Sequence, residues 1–194
     1  MKPGAVQSVV WAQVLFCVCL LVSIILKPAG LAANDGISYY GIYARTFIPF
    51  AIGLLGAAYC YFRAARSMAN AVLKPALILS SLLTVVIVFT PYSLNGVTDW
   101  LHTAAGSVLF SLQLLLSFWL VATLRFDIRA ILLAVIELLS GILCFVYLRP
   151  AHGFLIQCQI LFQLSFGALV IYSISKLPLS TPYAKRTAIR RTKG

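Results

Sequence analysis

The chain predicts an all-α, polytopic transmembrane helix bundle, and three observations carry that expectation. It is 62% hydrophobic and 10% charged, with a mean hydropathy of +1.00, whereas a soluble domain carries about a quarter charged residues. So little charge cannot clothe a globule in water, but it suits a surface facing lipid. Six apolar runs follow one another, each near the roughly 20 residues that cross a bilayer. The basic residues then fall unequally into the loops between those runs.

The first span is expected over 6–26, ended by Lys27 and Pro28. A cleaved signal peptide is the rival reading, because Gly30-Leu-Ala-Ala33 offers small residues. The apolar run is long for a signal peptide and the preceding charge is a lone Lys2, so a retained span is expected. Residues 27–45 form the longest loop. Its Asn34-Asp35-Gly36 marks a turn, and Tyr39, Tyr40 and Tyr43 fit an interfacial aromatic belt. A lid over the outer face is the alternative. Span 2 is placed at 46–62, with Pro49 in its first turn, where a missing N–H is tolerated. Its Gly53-Leu-Leu-Gly56 offers a close-packing face. Span 3 is placed at 75–90 and stopped by Pro91. Span 4 covers 99–124, with small residues at Ala104-Ala-Gly-Ser107. Span 5 covers 131–148 and span 6 covers 154–175. Residues 1–175 thus form one transmembrane domain, and 176–194 a basic tail expected to be disordered.

Charge sets the expected orientation. The side holding both termini carries twelve of the fifteen Lys and Arg residues. Positive-inside logic places both termini in the cytoplasm of a cell (inner or plasma) membrane protein. In a soluble chain the net charge of +11 would point to nucleic acid. Here the charge lies beside spans, so the expected partner is the bilayer and not nucleic acid. Lys185, Arg186, Arg190, Arg191 and Lys193 of the tail should meet anionic headgroups, at about 1 kcal/mol per basic residue near the surface. The five cysteines all lie in apolar runs without CxxC spacing, and read as span residues.

Polar residues inside the spans are the candidates for function. Glu137 is the one acid or base deep in a predicted span, and such a residue is costly. Counting at about 1.5 Å per residue from the cytoplasmic end puts Glu137 roughly 9 Å deep, Gln13 roughly 10 Å and Thr84 roughly 14 Å. Gln113 and Gln163 fall at roughly 17–18 Å. These four polar residues can form a layer near the midplane, with Glu137 on its cytoplasmic side. Glu137 then reads as a hydrogen-bonded fastener, as a proton or cation site, or as a site facing a partner.

Asp99 and His102 are three residues apart and share a helix face at the outer end of span 4. His152 lies at the outer start of span 6. A carboxylate with two imidazoles can ligate a divalent metal or pass protons, while Asp99 also suits a helix's first turn. Two histidines fall short of the four that a di-haem cytochrome needs, and no phosphate-binding glycine loop, HExxH or GxSxG occurs. No cofactor and no metal is therefore expected, and an enzyme less than a non-enzyme.

Gly36-Ile-Ser-Tyr-Tyr-Gly41, Arg45-Thr-Phe-Ile-Pro49 and Leu101-His102 resemble the pattern of uncharacterised prokaryotic six-span membrane proteins, of the domain-of-unknown-function type. The resemblance covers most of the six spans. It implies a fold and no activity, and it draws Tyr40, Arg45 and His102 together as an outer-face group. Three functional expectations follow. The first is an accessory or scaffold subunit packing against another membrane protein or a second copy. The second is a small proton-coupled carrier using Glu137, with Asp99, His102 and His152 at its outer mouth. The third is an intramembrane enzyme using that outer group.

Overall fold

The computed structural model describes residues 3–33, 35–92, 96–147 and 153–176. Among them there are helices and no strand. Helix α1 runs Pro3–Leu26, α2 Ala44–Arg66, α3 Leu73–Phe89, α4 Gly96–Thr123, α5 Ile128–Tyr147 and α6 Leu155–Lys176. Two short 3-10 helices, Pro28–Ala32 and Gly36–Gly41, occupy the loop between α1 and α2. Five of the six α-helices are long and apolar enough to cross a membrane. The exception is α3, with 17 residues, about 25 Å at 1.5 Å per residue. Its ends explain the length. The Asn70 side chain accepts from the N–H groups of Val72 and Leu73, at 2.9 and 2.8 Å, which starts the helix. At the other end Pro91, which disfavours helix in the residue before it, follows the C-cap Thr90. Conversely, α2 runs four residues past the predicted end of its span. Arg63 and Arg66 sit in its last turn, where cations favour the helix dipole. An apolar run stops at a charge, but a helix need not.

The helices close a ring. Each packs on the next in sequence, α6 returns to α1, and α4 also touches α6 across the middle. Small residues permit this closeness. A Cβ on Gly53 would stand 2.7 Å from Cys19 Cβ, and one on Gly56 would stand 3.0 Å from Leu15. The Gly53/Gly56 face is therefore occupied by α1. A Cβ on Gly167 would land on the Gln13 amide, so α6 meets α1 by the same device. Between α2 and α3, the Ser81 hydroxyl donates to the Ala58 carbonyl at 2.8 Å. Large apolar side chains such as Leu21, Ile48, Leu115 and Phe145 point outward, while Ser80, Gln113, Ser117, Glu137 and Ser140 are buried. Lipid surroundings favour this, since outward Leu and Ile lose nothing there and polar groups must pair internally.

Asp127 starts α5. Its backbone oxygen accepts from Ile131 N–H and its carboxylate from Arg129 N–H, both at 2.9 Å, the bonding of an N-cap. The Arg129 N–H holds this carboxyl below the usual carboxylate range. A group with a lowered folded pKa binds its proton more readily when unfolded. Its stabilisation is thus present above about pH 4 and fades as pH falls through the folded value. We expect thermal stability to drop below pH 4 in the wild type and to flatten there in Asp127→Asn. An unchanged acid profile would remove this role.

Candidate functional site: a roofed cavity with a polar floor

The ring encloses a cavity of about 560 Å³ lined from all six helices, within the range of sites for drug-sized ligands. Along α4 the lining residues His102, Gly106, Leu109, Phe110 and Gln113 form one stripe, because residues three, four and eleven apart share a helix face. His102 and Gln113 mark the two ends of that stripe, about 16 Å apart at 1.5 Å per residue. The middle is apolar, and Phe110 stacks on Phe162 at 4.4 Å between ring centres.

Three side chains of the predicted midplane layer meet at the floor, and Tyr61 joins them. The Tyr61 hydroxyl accepts from Gln13 Nε2 at 2.6 Å and from Gln163 Nε2 at 3.1 Å. Gln113 Nε2 donates to Gln163 Oε1 at 3.1 Å. One chain of bonds thereby ties α1, α2, α4 and α6. Thr84, the fourth predicted member, lines the cavity but is not in this chain. Its hydroxyl donates to the Ser80 carbonyl of its own helix at 2.8 Å, as hydroxyls in helices commonly do. Glu137 is fully buried and does not line the cavity. Ser117, one turn beyond Gln113 on α4, donates to its Oε2 at 2.6 Å. Its Oε1 has no hydrogen-bond partner among the described residues.

The 27–43 segment roofs the other end. Asp35, Ile37 and Ser38 face the cavity. Ile37 N–H donates to Gln159 Oε1 of α6 at 2.7 Å, and Gln157 Nε2 donates to the Leu31 carbonyl at 3.2 Å. Gly36 allows this: its φ is +59°, and a Cβ there would fall on the Gln159 amide. His102 bonds on both ring nitrogens. Nδ1 faces the Thr90 carbonyl at 2.8 Å, and a carbonyl can only accept. So Nδ1 carries the hydrogen, and Nε2 accepts from the Ser38 hydroxyl at 2.8 Å. The histidine pins the roof to the end of α3, and neither nitrogen retains a lone pair for a metal.

The expected outer group is accordingly rearranged. Tyr40 is fully buried under the roof and is not part of an interfacial belt; burial pushes its phenol up. Its backbone oxygen accepts from the Thr46 hydroxyl at 2.8 Å. Tyr43 sits under Lys27, whose Nζ is 3.2 Å from the ring centre. Arg45 is exposed at the start of α2. Asp99 lies in the first turn of α4 and, unlike His102, does not line the cavity. His152 and the tail residues Lys185, Arg186, Arg190, Arg191 and Lys193 lie outside the described residues. Among the described residues no three His, Cys, Asp or Glu side chains are grouped to hold a metal.

Sequence reading missed Tyr61, Ser80 and Gln159 as site residues. Gln159 and Gln163 are four apart and share a face, a signal that was there to be used. Tyr61 sat next to the expected end of span 2, where an aromatic reads as an interface anchor; the extra turns of α2 place it inside. No family model matches the chain, and neither the curated proteins nor the solved structures returned a match; the resemblance to six-span prokaryotic proteins rests on the residues that carry it.

Proposed function

We propose that this is a six-span membrane protein that binds, and as a carrier hands on, a small molecule held inside the ring. The observation that supports it is the cavity itself, to which all six helices contribute and which ends on a polar floor. A bundle serving solely as a scaffold has no need to leave such a space unfilled, since close packing stabilises. In this reading α3 is the third, short span, within the roughly 17–25 residues that suffice. Both termini lie in the cytoplasm and the basic tail rests on anionic headgroups. A reporter fused after Gly194 should be cytoplasmic and one inserted at 93–95 should be external; the reverse pattern would overturn the orientation. Of the two small-residue faces that could dock an accessory subunit's partner, Gly53/Gly56 and Ala104–Ser107, the first is covered by α1.

Glu137 acts here as a fastener between α5 and α4. Glu137→Gln keeps an acceptor for Ser117, so melting temperature and ligand binding should be almost unchanged. Loss of pH-dependent uptake with intact folding would instead assign Glu137 to proton handling. The test of the main reading is mild-detergent purification from the native host, followed by mass spectrometry of the intact assembly. A small molecule bound in about one-to-one ratio supports the carrier. A stoichiometric membrane-protein partner with an empty cavity would overturn it in favour of the accessory subunit.

A further inference from the structure

The ligand's chemistry can be read from the cavity walls, an inference that rests on the binding role proposed above. Ser80 of α3 lines the cavity and is 1% exposed, yet its hydroxyl has no hydrogen-bond partner among the described residues. A buried hydroxyl left unpaired is unfavourable, and such groups in native proteins call for an explanation. Gln113, 3% exposed, lines the same space. Its amide nitrogen gives one hydrogen to Gln163, which leaves a second N–H on that nitrogen. The lower part of the cavity thus presents an unused hydroxyl and an unused N–H.

The rest of the lining limits what can approach them. No Lys or Arg is among the described lining residues, and the carboxylate of Asp35 lies in the roof. His102 is committed on both nitrogens. A charged group brought to the floor would lose its water and find no counter-ion, which is prohibitive. Between roof and floor the walls are Phe16, Phe50, Leu54, Leu109, Phe110 and Phe162. We infer that the cavity takes an uncharged single-chain amphipath, with a hydroxyl or carbonyl end bonded at Ser80 and Gln113 and its apolar body among the phenylalanines.

The full chain in nanodiscs, read by native mass spectrometry, tests this with 1-dodecanol, dodecane, dodecanoate at pH 8 and dodecyltrimethylammonium. Dodecanol should bind about tenfold tighter than either charged probe. Gly106→Leu should abolish binding, because a Cβ at Gly106 meets nothing within 4 Å and the larger side chain fills the cavity without disturbing the fold. Gln113→Leu should weaken dodecanol about tenfold, to the level of dodecane, as loss of one to two hydrogen bonds implies. Ser80→Ala, which breaks no bond within the protein, should weaken it about threefold. If none of the probes binds, or Gly106→Leu leaves binding unchanged, the cavity reading itself falls. If a charged probe binds as tightly as dodecanol and Gly106→Leu abolishes that binding, the cavity stands and the uncharged class is wrong. Equal binding of dodecanol by wild type, Ser80→Ala and Gln113→Leu would remove the polar end from the floor.

Discussion

Tyr61→Phe should destabilise the protein by about 2 kcal/mol, since two hydrogen bonds are lost at about 1 kcal/mol each. The phenol oxygen is the acceptor for both Gln13 and Gln163. Removing it leaves the Gln13 and Gln163 amide nitrogens without this acceptor. The ring is retained, so its packing near Phe166, 6.4 Å between centres, should survive and the loss should report the hydroxyl alone. The melting temperature of the purified chain measures it. A double-mutant cycle with Gln163→Leu sharpens the result, because bonds that share one acceptor should not add. A loss below about 0.5 kcal/mol would mean that the floor is not held together through Tyr61.

Gly53→Leu should cost more, about 3 kcal/mol, at the upper end of what overpacking does. A Cβ at this position already stands 2.7 Å from Cys19 Cβ and 3.5 Å from the Leu15 carbonyl. The nearest atom is the Cβ of Cys19, fixed to the α1 backbone, and the Leu15 carbonyl of the same helix stands behind it, so no flexible chain end can move aside. Helices α1 and α2 must separate, which opens the ring and pulls Gln13 away from Tyr61. The isolated chain should therefore melt earlier and lose ligand binding together. Were this face instead a docking surface for another protein, the purified chain would keep its stability and only the complex would weaken. The same substitution thus separates the carrier reading from the accessory one.

How much was legible in the sequence differs between the two scales of structure. Apolar runs between prolines, charges and glycines placed each of the six α-helices to within a few residues. Five of them proved long enough to span, and α3 is short for the reason visible in its flanks, Asn70 and Pro91. The polar layer was half legible. Gln13, Gln113 and Gln163 were drawn together from depth alone, since depth is a matter of counting residues from a helix end. Thr84 sits at a comparable depth but satisfies itself on its own helix, and no count of residues reveals that choice.

Other residues were decided by tertiary structure. Tyr40 and Tyr43 are three residues apart with the same chemistry, yet one is fully buried under the roof and the other lies beneath Lys27. His102 was read with Asp99 because they share a helix face, but its partners are Ser38 and Thr90, supplied by two other segments. Composition set the expectation of a lipid-facing surface, and five helices long and apolar enough to cross a membrane agree with it. The order of the apolar runs located the six α-helices and roughly where they end, but not the two 3-10 helices between α1 and α2. Which face each helix turns inward was decided by the ring, where glycines at 53, 56 and 167 let neighbours approach closely enough to fix their rotation. That rotation carried Tyr61, Ser80 and Gln113 to one cavity, an outcome of packing between distant segments that no local pattern encodes.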